Sequence, residues 1–385
     1  MLKMINACTT ELDDIEQAVA EIHEQLDAHG DLFENSVGIL TCYSEFIDTG
    51  VVKALCDSLP FHVIGGTSLA NCIESEAGLM MLSLTVLTAD DVYFSTALTA
   101  PLEDDMDQSI AEAYQTALSN LPSKPEMMVS FMPLLKDVGG EMILGKLDPI
   151  TDGVPIFGTL VCDHFSDYST SHTICDGEAS KDQLAMLVIS GNIKPRFMVA
   201  TISNANIQKQ TAIITDAQGC LLKSVNNMPA EEYMKRLGLV QGGGIESLNT
   251  IPFIVDYNDG TKPAARVIHM ITLEGYAICG GEMPKGSTLS IGLLEAPDVL
   301  KTSEGLMENV LSLGECNGLL CFPCVSRGLI MGTDMLKELE TIRKCLGNQI
   351  PFHASYSGGE YCPVQLENES FENRFHNFSI VACVL

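Results

Sequence analysis

Apolar positions along this chain fall into short, dense runs, and one local order of such runs occurs three times. An apolar strand leads into a small or polar loop and a helix, then proline and a second apolar strand that closes on glycine. The first copy starts at Val37–Cys42 and closes over 59–66. The second starts at 127–131 and closes over 154–158. The third starts at 318–324 and closes over 350–359. Recurrence in fixed order predicts duplicated βαβ units. Ligands of open parallel sheets bind beyond the carboxyl ends of the strands. The loops and glycine turns of these units are therefore the expected site.

The remaining pattern fills in around the units. Leu12, Ile15, Val19, Ile22 and Leu26 recur at helical spacing over 11–28, with Thr10 and Asp13 placed as a capping box. Segments 79–87, 92–98 and 183–190 read as strands, and 103–120 as an acidic helix. Near residue 205 the character changes. Segment 211–225 predicts a hairpin around Ala217 and Gly219, Pro229 opens a helix, and 241–244 reads as a flexible glycine loop. Strands are expected over 264–271, 275–279 and 288–294, and helices over 301–313 and 333–345. The prediction is an α/β protein of two domains, 1–205 and 206–385. Each would hold mixed β-sheet with flanking helices, the sheets stacked and the helices outside.

Composition narrows the class. The 385 residues are 46% hydrophobic and only 19% charged, which predicts a globular chain. No apolar run approaches the roughly 20 residues that span a bilayer, and Asp13, Asp14 and Glu16 interrupt any leader pattern. A soluble cytoplasmic protein without membrane insertion is expected. The net charge of −30 is uneven, with 31 acids against 8 bases before residue 206 and 20 against 13 after it. Such charge disfavours nucleic acid and anionic membrane, which require basic patches. The fourteen cysteines are scattered through strand-like and helix-like segments, and read as reduced, buried small hydrophobes.

The order of particular signatures resembles the FIST (F-box and intracellular signal transduction) family, over almost the whole chain. In the N-terminal half these are residues 61–68 and the proline–glycine strand 155–158. In the C-terminal half they are Ala265 and Arg266, segment 322–327, then 356–360 and 375–379. The stretch from Thr159 to Cys162 departs from the family, which usually keeps a second glycine and an alanine there. The resemblance implies a sensory module for small ligands, with amino acids suggested, signalling here through a separate partner protein. It also implies an alternative, since one branch of the family binds haem and senses nitric oxide.

The candidate ligand-binding residues are Gly65, Gly66, Thr67, Ser68, Arg266, Cys324, Arg327, Tyr356, Gly358, Gly359, Glu360, His376 and Asn377. Gly65 to Ser68 would offer backbone N–H groups and two hydroxyls. Arg327 would take a ligand carboxylate in a bidentate pair, and Glu360 an ammonium. The competing reading pairs Arg327 with Glu360 and makes both structural. Arg266 is a second anion anchor. Cys321 and Cys324 match a C-x-x-C redox pair, and with Cys316 they have the spacing that opens a [2Fe–2S] site, Cys345 being a fourth ligand. A strand there would point neighbouring cysteines apart. His62 and His353 occupy equivalent places in two repeats, which favours a structural origin. The chain carries no P-loop, G-x-S-x-G, HExxH or dinucleotide fingerprint. The expected protein is a stand-alone sensor of a small polar ligand with no bound cofactor. A haem sensor, a thiol redox protein and a non-enzymatic adaptor docking through its acidic half are the alternatives.

Overall fold

The computed structural model describes the chain except residues 136–137, 165–168, 241–247, 259, 261–262 and 366–369. The expected glycine loop over 241–244 lies outside the described residues. Each βαβ repeat builds the centre of its own six-stranded sheet. The first sheet runs Leu2–Thr9, Leu82–Ala89, Asn35–Cys42, His62–Thr67, Thr173–Cys175, Glu178–Ser180. The second runs Val92–Leu98, Ala185–Gly191, Pro125–Met132, Ile156–Leu160, Gly359–Gln365, Phe371–His376. The third runs Arg196–Ala200, Ile380–Val384, Leu319–Pro323, Phe352–Ser355, Asn71–Ile73, Ala77–Gly78. In all three only the central pair is parallel, registered Val37 to His62, Val129 to Phe157 and Leu320 to His353.

The outer two strands of each sheet are a hairpin lent by another repeat. The hairpin after the first parallel pair extends the third sheet, the one after the second extends the first, and the one after the third extends the second. This exchange closes a ring, so no sheet is complete without a neighbouring repeat.

Both faces of the sheets are covered, which is why their strands read as near-continuous apolar runs. Inner-face residues of all three sheets, including Ile39, Ile64, Phe131, Phe157, Leu187, Phe322 and Val381, form one central core. Phe157 stacks on Phe322 at 5.2 Å between centroids and Phe131 meets it edge-on at 6.2 Å. Helices close the outer faces, as expected. Ile15–Asp27 and Val51–Ser58 cover the first sheet, Met106–Ser119 and Gly140–Thr151 the second, and Ala296–Ser312 and Leu336–Leu346 the third. The first helix is capped by Asp14, which accepts from Gln17 N at 3.0 Å, rather than by Thr10. The Thr9 hydroxyl instead holds Glu21 and Glu11 N.

The expected hairpin over 211–225 forms and belongs to a six-stranded barrel. Ala212–Gln218, Thr288–Ile291, Leu248–Asp256, Ala264–Ile271, Ala277–Cys279 and Leu221–Val225 pair in that order, and the last closes on the first. The barrel has its own core. It sits within the third repeat, between Arg196–Ala200 and the helix Ala296–Ser312, where the other repeats have only short connections (10–14 and 99–105). Chain entry and exit lie side by side, with Gln208 N donating to Ile291 O and Leu293 N to Asn206 O, both at 2.8 Å. Residue 205 falls between the strand Arg196–Ala200 and the barrel. Among the described residues no helix is long and apolar enough to cross a membrane.

Candidate functional site

The carboxyl ends of the three parallel pairs meet. The Ser68 hydroxyl from the first repeat donates to Tyr356 O of the third at 2.9 Å, and the Cys162 thiol from the second reaches the same carbonyl at 3.3 Å. Gly358 N donates to Leu160 O at 2.8 Å, and Cys162 N to Thr67 O at 3.3 Å. The loops predicted to share a site are therefore brought together, but into a sealed junction. Thr67, Ser68, Tyr356, Ser357 and Glu360 are all buried.

Glu360 is the exceptional group in this junction. It is fully buried, and its Oε2 accepts from the Ser379 hydroxyl at 2.6 Å. Its Oε1 has no hydrogen-bond partner among the described residues. Burial pushes the carboxyl up to about 8, against the smaller opposing effects of Ser379, Cys324, Arg327 and Ser357. Around it lie groups that no single repeat supplies. Thr159 of the second repeat donates to Ser357 Oγ at 2.7 Å, and Ser357 Oγ donates to Gly359 O at 2.6 Å. Cys324 is held by its N–H to Ser379 O at 2.9 Å, and burial together with Glu360 lifts its thiol well above the usual range. His376 is the direct cross-strand partner of Glu360. Its Nε2 faces Cys362 O at 3.2 Å, and burial holds it down to about 3. A neutral histidine and a carboxyl with an open valence thus face one corner.

Arg327 does not pair with Glu360. It is completely buried and contacts Glu338 Oε1 at 2.8 Å, with further bonds to Val299 O, Thr302 and Ser303. Arg327 lies on the helix Val325–Met331, so one guanidinium stitches three helices. The reason is reach: Glu338 and Ser303 project from helices packed over the third sheet, whereas Glu360 points to the inner face of the second. Tyr356 joins the same structural group, its hydroxyl bonding Met335 O at 2.9 Å and Glu338 Oε2 at 3.1 Å.

Arg266 lies in the barrel, apart from the junction. It is buried against Glu141 at 3.0 Å, stacked on Tyr257, and donates to Phe375 O. Asn377 links the two regions, its Nδ2 donating to His376 O at 3.0 Å and its Oδ1 accepting from Val267 N of the barrel at 3.4 Å. The glycines serve close packing. A Cβ on Gly65 would stand 1.7 Å from Leu40 O, and one on Gly359 would stand 2.3 Å from the Phe375 ring. Gly66 would meet Val161 at 2.4 Å, and Gly358 the Leu160 and Val161 carbonyls at 3.1 Å. Thr67 Oγ1 accepts from His172 N at 2.9 Å, which fastens the borrowed hairpin.

Cys321 and Cys324 are both buried, and burial raises both thiols. Neither is the accessible low-pKa thiolate that exchange chemistry uses. Among the described residues no three His, Cys, Asp or Glu side chains converge as a metal site. Sequence reasoning passed over Thr159, Cys162, Ser357 and Ser379 as site residues, although three of them lie inside or beside the quoted motifs. It also missed Glu338, which shares its helix with the apolar stripe Leu339, Ile342 and Leu346. A charge between stripe positions was the available signal.

The FIST N domain matches residues 36–228 and the FIST C domain residues 219–363. A comparison with curated proteins finds no match. Among solved structures the chain is similar to cyanuric acid hydrolase from A. caulinodans, at 10% identity and a TM-score of 0.39 over 100% of this chain and 99% of that one. A second cyanuric acid hydrolase aligns at 9% identity and a TM-score of 0.35 over the same shares. PurLQS from Thermotoga maritima aligns at 9% and 0.20, over 100% of this chain and 72% of that one.

Proposed function

Since the chain belongs to the FIST family, whose domains serve generally in sensory signal transduction, we propose that it senses a small polar, amino-acid-like ligand at the Glu360 corner and signals through a separate protein partner. The observation that carries this reading is the buried Glu360 Oε1, which meets no partner at hydrogen-bond geometry among the described residues, with Cys324 and Ser357 its nearest polar neighbours, at the junction of all three repeats. A buried polar atom left open costs free energy; protonated, Oε1 would donate to a ligand carbonyl or carboxylate oxygen, and ionised it would accept a ligand N–H group. Ser357, Thr159 and Cys324 supply the neighbouring polar wall. A ligand enters only if the junction opens, so occupancy selects an opened arrangement of the repeats, and that change is what a partner reads. The barrel is placed to follow it, since Asn377 ties the corner to Val267.

A thermal-shift screen of purified protein against amino acids, small carboxylates and haemin, with an absorption spectrum of the isolated protein, tests the reading. A ligand present at 100 times its Kd stabilises the folded state by about 2.7 kcal/mol. That shift should vanish in Glu360→Gln. No shift with any compound would overturn the proposal. A shift that survives in Glu360→Gln would move the site elsewhere.

A further inference from the structure

A second polar network is buried between the first and third sheets, away from the Glu360 corner. Asn6, Thr41, Asn71, Ser83, Thr85 and His353 all belong to it. Its contacts determine where each hydrogen points. Asn6 Nδ2 faces the Glu74 carboxylate oxygens at 2.9 and 2.8 Å and Phe352 O at 3.0 Å. Its Oδ1 must therefore accept, and the donor is the Thr85 hydroxyl at 2.6 Å. Asn71 Nδ2 donates to Met81 O at 2.8 Å, so its Oδ1 also accepts, from the Thr41 hydroxyl at 2.7 Å. A hydroxyl carries one hydrogen, and both are now committed. His353 Nδ1 lies 2.9 Å from Thr85 Oγ1 and its Nε2 3.0 Å from Thr41 Oγ1. Each ring nitrogen thus meets an oxygen with only lone pairs to offer. A neutral imidazole would set lone pair against lone pair on one side, whereas an imidazolium donates on both.

We infer that His353 is held as an imidazolium, balanced by Glu74 at the far end of the Asn6–Thr85 relay, and forms a proton-dependent joint between the first and third sheets. The Glu74 carboxylate accepts from Asn6 Nδ2 and from Phe352 N at 3.1 Å, contacts that favour the anion, while the larger effect of burial raises its carboxyl above the usual range. The helix Leu336–Leu346 brings Arg343, which donates to Ser75 O and acts on Cys72, and His29 acts on Glu74. The strand Leu2–Thr9 brings Cys8, whose thiol burial raises to about 11, Asn35–Cys42 brings Thr41, and Leu82–Ala89 brings Ser83 and Thr85. Leu319–Pro323 presents the Phe322 ring edge at 6.4 Å, and the borrowed hairpin brings Cys72, Glu74 and the exposed Glu76. The joint adjoins the candidate site, because His353 shares its strand with Ser355, which pairs with Asn71 and leads into Tyr356.

Burial works the other way and on its own pushes His353 down to about 4. The two effects predict opposite signs. Held doubly protonated, His353 has a folded pKa above the unfolded 6.5, so its stabilisation is full below pH 6.5 and lost as pH rises through the raised value. Held neutral, it contributes stability above pH 6.5 that is lost as pH falls toward about 4.

Long-range proton–nitrogen NMR of the whole protein with nitrogen-15 histidine decides between them. The expected result at pH 7 is a histidine with both ring nitrogens protonated, absent from His353→Asn. In Glu74→Gln the same resonance should titrate about one unit lower. Should His353→Asn fail to fold, that displacement makes the assignment. A bare ring nitrogen on His353 at pH 7, or the finding that no doubly protonated histidine responds to Glu74→Gln, would overturn the inference. Neither outcome depends on ligand binding at Glu360.

Discussion

Two buried polar clusters of this protein differ in how far they are satisfied. Between the first and third sheets, Asn6, Thr85, His353, Thr41 and Asn71 hand hydrogens along a chain in which each oxygen and nitrogen meets a partner. At the junction of the second and third sheets, Glu360 Oε1 meets none among the described residues. A completed network rigidifies what it joins, whereas an open one keeps a free-energy cost that a ligand can remove. On the proposed reading the first cluster serves assembly and the second recognition.

The comparison can be broken most forcefully at the wall that separates the clusters from the third sheet's helices. Removing one partner of a buried ion pair costs about 3–5 kcal/mol. Arg327→Ala should therefore lose that much in urea denaturation, since Glu338 would be left charged and enclosed. Retention of wild-type stability would return Arg327 to the list of ligand anchors. A smaller loss, about 1–3 kcal/mol, is expected for Thr85→Val, which strips the donor from Asn6 Oδ1 and the acceptor from His353 Nδ1. Equality with wild type would show that the network is not a joint.

The smallest effect should come from Glu360→Gln, which keeps the side chain's shape and removes its charge chemistry. Below pH 4.5 the empty protein should change by less than about 1 kcal/mol, because the carboxyl is then protonated in the folded and unfolded states alike. What should change is the pH profile. With a folded value of about 8 against 4.5 ordinarily, Glu360 binds a proton in the folded state that the unfolded chain has released. Its contribution is full below pH 4.5 and is lost as pH rises to about 8, at up to about 1.4 kcal/mol per unit. Chemical denaturation across pH 5 to 8 should show this decline in wild type and a flatter profile in the variant. Parallel profiles would mean that Glu360 is ionised and already partnered.

Several elements were legible because local pattern alone specifies them. The three βαβ repeats, the hairpin over 211–225 and the outer helices follow from apolar runs, turn residues and helical spacing. The FIST motifs picked out Cys324, Glu360 and His376, which the fold gathers at one corner. Other features have no local signature. Arg327 chooses Glu338 over Glu360, and the borrowed hairpins pair with strands about 100 to 280 residues away. No periodicity encodes either choice.

The amino-acid order by itself determined that this is a mixed α/β chain built from three repeats, with glycine-closed turns and family motifs at their ends. Side-chain alternation and turn chemistry act over a few residues, and those residues are contiguous. Only the tertiary structure decided that each repeat has its own sheet, that the hairpins close a ring, and that a barrel interrupts the third repeat. It also decided which buried polar groups find partners. Burial and hydrogen bonding depend on what the fold brings within about 3 Å, and that distance is set by packing between segments rather than by order along the chain.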